Sequence, residues 1–99
     1  MLNNVTIMGR LTNDIELRNA GEQKVANFSI ACQRSANREK TDFIPVVAWG
    51  KIAEVLAEYI KKGQRVILSG QIQSRKNKDG KEFLELLATS FEFVEGKKE

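Results

Sequence analysis

Residues 41–63, TDFIPVVAWGKIAEVLAEYIKKG, decide how this chain folds, and they hold its only tryptophan, its only proline and its only tyrosine. From Thr41 to Trp49 the residues are mostly β-branched or aromatic, in a run too short and too β-prone for a helix, so this segment reads as a strand. Gly50 breaks it. From Lys51 onward Ile52, Val55, Leu56, Tyr59 and Ile60 follow the i, i+3, i+4, i+7, i+8 spacing of one apolar helical stripe. Lys51, Glu54, Glu58 and Lys61 take the opposite face, with Glu58 spaced to pair with Lys62. The spacing predicts about three turns, with Lys61 and Lys62 favouring the negative end of the helix dipole and Gly63 as the stop.

Upstream, Val5, Ile7, Gly9 and Leu11 alternate with Thr6, Met8 and Arg10, the period-2 pattern of a first strand. Gly9 in it points to a bulge or a close backbone approach. Ile15 to Arg18 continue that strand past a kink, and Asn19 to Glu22 read as a turn. Lys24 to Arg34 alternate again, with Ala26, Phe28, Ile30 and Cys32 on the core side. Ser35 to Lys40 are polar and unpatterned, which reads as a flexible loop.

Downstream of the helix, Val66 to Ser74 form a strand with Val66, Leu68, Gly70 and Ile72 on one side and Gln71, Gln73 and Arg75 on the other. Asp79-Gly80 is a strong hairpin signal, and Glu82 to Val94 return as a long last strand. The fold class is all-β with one helix. Five strands with a helix between the third and fourth is the plan of an OB-fold barrel, whose open face and hairpin loops bind oligonucleotides or oligosaccharides. An SH3-like barrel or an α+β sandwich fits the element count less well. Residues 1–94 are read as one domain and 95–99 as a short charged end.

At 99 residues, 41% of them hydrophobic, the chain can bury one modest core, and oligomerisation would help it. No stretch is apolar enough to span a membrane, and the N-terminus lacks the features of a signal peptide, so a cytoplasmic protein is expected. The one cysteine, Cys32, has no histidine to share a zinc site or a nucleophilic pair, and reads as a small buried apolar residue. With no histidine, no phosphate-cradling glycine motif and no carboxylate pair set among apolar residues, an enzyme is the least supported class, and no cofactor is expected.

The net charge is +3, and its placement says more than its size. Residues 34–40 carry a net +2 and residues 75–81 a net +3, in two loops that bracket the same sheet. A single-strand binder needs a basic groove for phosphates and flat aromatic faces for bases. The candidates are Trp49, Phe43 and Phe83 for stacking, and Arg34, Arg38, Lys40, Lys51, Arg75, Lys76 and Lys78 for phosphates, with Gln71 and Gln73 along the same strand. Composition alone makes Trp49 slightly better read as a core residue, with Phe43 and Phe83 in the same position, and makes the charged loops a solvated surface. Phe28, Phe91 and Phe93 are assigned to the core.

Three stretches, NVTIMGRLTNDIELR, KVANFSIACQR and residues 41–83, resemble the bacterial-type single-stranded DNA-binding proteins from Asn4 to about Val94. The most specific pieces are VxxxGRL followed by D-x-E-x-R, VANFSIA, the aromatic-Gly-Lys-x-Ala-Glu turn into a helix ending in KKG, and GQIQSRK. The resemblance implies an OB-fold that binds single-stranded DNA with little sequence preference and protects it in replication, recombination and repair, usually as a homotetramer. It puts Trp49 and Phe43 on base-stacking positions, and Arg34, Arg38, Lys51, Arg75 and Lys76 on or near phosphate-contacting ones.

The chain departs from that pattern in four places. Family members often carry a tryptophan where this chain has Ser35 and Ala36, and another aromatic near Asn77. Pro45 cannot donate a ladder hydrogen bond, so a bulge or an edge position is expected there. In the family that part of the sheet helps pair subunits, leaving tetramer or dimer open. The end, EGKKE, lacks an acidic recruiting tip, so recruitment of replication or recombination proteins through such a tip is not expected; the form resembles one encoded by a phage or mobile element. A primosome-type interaction module and an RNA-binding OB domain are the alternatives.

Overall fold

The computed structural model describes residues 1–94; the charged end expected at 95–99 lies outside the described residues. Six strands and one helix follow in order: β1 (Val5–Leu11), β2 (Leu17–Ala20), β3 (Gln23–Gln33), β4 (Thr41–Trp49), α1 (Gly50–Tyr59), β5 (Arg65–Lys76) and β6 (Glu82–Phe93). They form one sheet in the order β1-β5-β6-β4-β3-β2, and β1 also pairs with β3. That extra pairing closes β1, β5, β6, β4 and β3 into a five-stranded ring with β2 outside it. Counting the ring strands in chain order, the helix falls between the third and fourth, as the OB plan requires.

The surplus strand comes from residues 17–20. Rather than extending β1, they fold back on β3 with Ala20 opposite Gln23, across a two-residue turn in which Gly21 takes φ 66°. An L side chain there would be strained, which is why a glycine suits this turn.

Alternation fills the ring. Leu11, Ala26, Ile30, Val46, Ala48, Leu68 and Leu86 point inward and are buried with Ala53, Leu56 and Ile60 from the helix side. Each buried leucine contributes about 2 kcal/mol of apolar burial. A Cβ on Gly9 would stand 2.3 Å from Ile30 Cγ2 and 2.6 Å from the Ala31 carbonyl oxygen, so the close backbone approach read from the sequence is where β1 meets β3.

Pro45 sits opposite Ser29 with β3 and β4 in unbroken register, so no bulge forms. The parallel pairing of β4 with β6 begins only at Val46, which leaves Pro45 on a locally free edge where no ladder donor is needed.

The helix ends sooner than its pattern predicts. Tyr59 is its last residue, Ile60 is extended at φ −107°, and no basic residue lies in the final turn, so Lys61 and Lys62 are outside it. Gly63, at φ 88°, is instead the turn that lets its N–H reach the Leu11 carbonyl at 2.8 Å. The buried stripe is also rotated: Ala53 goes in, its small side chain suiting close packing on the sheet, while Tyr59 stays 49% exposed.

Candidate nucleic-acid interface

Period-2 geometry splits β4 into two faces. Val46 and Ala48 enter the ring's core, so Phe43, Pro45, Val47 and Trp49 lie on the opposite face of the strand, where Val47 is itself covered and buried. Phe43 is 65% exposed and Trp49 40%, so neither is a core aromatic. Six residues apart on one strand, they stand about 20 Å apart. Trp49 is held by backbone on both sides. Extended at φ −124°, it ends β4 and caps α1 without a side-chain hydrogen bond, and Gly50 at φ 64° turns the chain behind it.

Strand register shows which other residues share this face. Ala31 is opposite Phe43, Asn27 opposite Val47 and Val25 opposite Trp49. On the other side Val47 meets Leu87, which meets Gln71; Gln73 meets Glu85 and Arg75 meets Phe83. Gln71, Gln73, Arg75 and Phe83 therefore lie on the face that bears Phe43 and Trp49. Phe83 is half-buried and Gln71 exposed.

The expected cations are unequal. Arg34 makes two hydrogen bonds to Asp42, Nε to Oδ2 at 2.9 Å and Nη2 to Oδ1 at 3.0 Å. Those bonds, then the charges themselves, raise the arginine's pKa, while the hydrogen bond from Arg34, opposed by desolvation and aided by the arginine's charge, draws the Asp42 carboxyl below its usual range. Arg75 Nη1 lies 3.5 Å from Glu85 Oε2, an oxygen that also accepts from Gln73 Nε2 at 2.8 Å. Arg38, Lys40, Lys51, Lys76 and Lys78 are exposed.

Both basic loops are folded back on themselves. Across residues 35–40, expected to be flexible, Arg34 N–H donates to the Lys40 carbonyl at 3.1 Å, and the Asn37 side chain accepts from Glu39 N–H at 3.1 Å. In the hairpin at 77–81, Asn77 Oδ1 accepts from the N–H groups of Asp79 at 2.9 Å and Lys81 at 3.0 Å. An asparagine side chain thus closes each basic turn.

Two residues of this face are not among the site residues read from the sequence. Glu85 looks like one more solvated acid, yet it is 2% exposed beneath Gln73 and Arg75. Arg18, opposite Val25 and so in the row of Trp49, donates Nη2–H to Asn27 Oδ1. Register alone reveals it, since β2 was not read as a separate strand.

Two assignments made from pattern change. Phe93 is 47% exposed near the end of β6, its ring centroid 5.3 Å from that of Phe91, which does pack against the core, and 6.2 Å from that of Tyr59. Cys32 is only half-buried and donates its S–H to the Met8 carbonyl at 3.5 Å. Desolvation first, and Asp42 second, push its thiol pKa up, away from nucleophilic use.

The pattern of the Single-strand binding protein family matches residues 2–94. The chain is 39% identical to single-stranded DNA-binding protein 1 of Streptococcus pyogenes serotype M18 over 104 residues, 96% of this chain and 80% of that protein. It is 45% identical to a single-stranded DNA-binding protein of Oceanobacillus iheyensis over 107 residues, 98% of this chain and 66% of that one. A third relative, the single-stranded DNA-binding protein of Clostridium perfringens, is 37% identical over 95% of this chain and 67% of its own length.

Proposed function

The chain belongs to the single-strand binding protein family, and on that premise we propose that it binds single-stranded DNA with little sequence preference and coats it during replication, recombination and repair in the bacterial cytoplasm. The observation that carries this reading is that Trp49 and Phe43 are both exposed on one face of β4, with the two basic loops at the Phe43 end of that strand. Bases stack on such faces whatever their identity, because every base has a π-face, and Arg38, Lys40, Lys51, Lys76 and Lys78 neutralise phosphates around them. Residues 1–94 are the binding domain in this reading. The reaction class is binding alone, with no bond made or broken.

The protein acts as a homotetramer in this reading, supported by the apolar side chains of Tyr59, Leu84 and Phe93 that a lone copy leaves in water. Light scattering at working concentration tests that. Binding itself is tested by Trp49 fluorescence during titration with long oligo-dT at low and moderate salt. Saturating quenching that weakens with salt supports the reading; no quenching and no gel shift would end it.

A further inference from the structure

β1 turns Thr6, Met8 and Arg10 outward, since Gly9 and Leu11 are buried. Arg10 lies opposite Arg65 on β5 and opposite Ala31 on β3, and Ala31 lies opposite Phe43 on β4. One cross-strand row thus runs Arg65, Arg10, Ala31, Phe43 over four adjacent strands. With neighbouring strands about 4.8 Å apart, the backbone of Arg10 is about 10 Å from that of Phe43, and only the methyl of Ala31 stands between them.

Over this row opens a groove of about 770 Å³, lined by Arg10, Arg34, Arg38 and Arg65 with Gln33 and Thr41. No carboxylate lines it among the described residues. Arg34 is held by Asp42, but among the described residues neither Arg10 nor Arg38 is in an ion pair. Arg10 is also held in place: its Nη1–H donates to the Gly63 carbonyl at 2.8 Å, which fixes the guanidinium while its other donors have no partner among the described residues. A positioned guanidinium fork matches phosphate oxygens.

We propose that this groove binds the phosphates of single-stranded nucleic acid, with Arg10 as a phosphate-binding residue, so that the track over Trp49 and Phe43 continues round the ring onto β1. The proposal rests on the binding reading above and extends it to a strand and an arginine, Arg10, outside the basic loops. A base stacked on Phe43 has its own phosphates within reach of the groove, which is why a polynucleotide suits it better than an isolated anion.

The test is titration of wild type, Arg10→Gln and Arg10→Lys with oligo-dT of about four and about sixteen nucleotides, the range of site sizes per OB fold, followed by Trp49 fluorescence at several salt concentrations. Glutamine keeps an N–H donor for the Gly63 carbonyl and removes the charge; circular dichroism and thermal unfolding report whether it is folded. Arg10→Gln is expected to weaken the longer oligonucleotide about tenfold at low salt and to flatten its log–log salt slope by about 0.7, one phosphate contact, with little effect on the shorter one. Arg10→Lys is expected to keep the wild-type slope. A folded Arg10→Gln with the affinity and slope of wild type would overturn the proposal while wild-type quenching leaves the binding reading standing; absent quenching in wild type removes both. A change in the mass of the DNA-free protein on Arg10→Gln would make the groove a contact between copies, and likewise overturn it.

Discussion

Arg34, just past the end of β3, and Asp42 on β4 face each other at the mouth of the first basic loop in a two-pronged ion pair, 2.9 and 3.0 Å long. The pair occupies the fork of Arg34 that a phosphate would otherwise take. Asp42→Asn should therefore tighten oligo-dT binding and steepen its salt slope by about 0.7. Because both side chains are exposed, thermal stability should barely move.

The same pair gives a pH dependence of definite sign. The folded-state pKa of Asp42 is depressed, so its pairing is intact above the ordinary carboxylate range and is lost as pH falls through that lowered value. Acidification releases Arg34, and affinity for oligo-dT should rise over that interval in wild type but stay flat in Asp42→Asn. Fluorescence titrations across the acid range would show it, and equal pH profiles for the two proteins would rule it out.

Trp49→Ala and Phe43→Ala should each cost about 1–3 kcal/mol of binding to oligo-dT without changing the salt slope, since stacking releases no counterions. Anisotropy with labelled DNA measures both, including the variant that has lost its tryptophan. A loss that appeared only in the slope would assign these residues to something other than stacking.

Replacing Glu85 by alanine leaves the Gln73 amide and the Arg75 guanidinium without their shared acceptor and opens a hole in a packed face. Urea unfolding should show a loss of about 1–3 kcal/mol. The salt slope should also steepen, as Arg75 becomes free for phosphate.

Gly70→Ala and Gly21→Ala separate crowding from backbone strain. A Cβ at Gly70 would lie 1.8 Å from the Leu87 carbonyl oxygen, beside the irregular register between Ser69 and Gly70, whereas at Gly21 it meets nothing and suffers only a φ of 66°. Gly70→Ala should cost about 3 kcal/mol or more, and Gly21→Ala about 1–2 kcal/mol.

Local chemistry wrote much of this fold into the chain. Alternation marks where β1 starts, the β-branched and aromatic run from Thr41 to Trp49 coincides with β4, and Asp79-Gly80 gives the last hairpin. Pairing did not show in the same way: alternation says that Phe43 and Trp49 share a face but not whether it is inner or outer, and only the register with β3 and β6 settles that. Glu85 was illegible for a related reason, because its cover comes from β5, ten or more residues away. The helix stop was misread because Gly63 serves a contact with Leu11 rather than the helix.

The ring is closed by two short seams. β4 meets β6 over two residue pairs and β1 meets β3 over two, while the hairpins β3–β4 and β5–β6 run nearly their full length. The barrel is thus two zipped halves latched at two points, and amides at the latches should exchange with solvent soonest among the ring strands. One latch is Arg10 against Ala31. A polymer lying along that row would straddle the weaker joint and hold it shut, so occupancy would register as slowed exchange in β1 and β3, in a part of the barrel remote from Trp49.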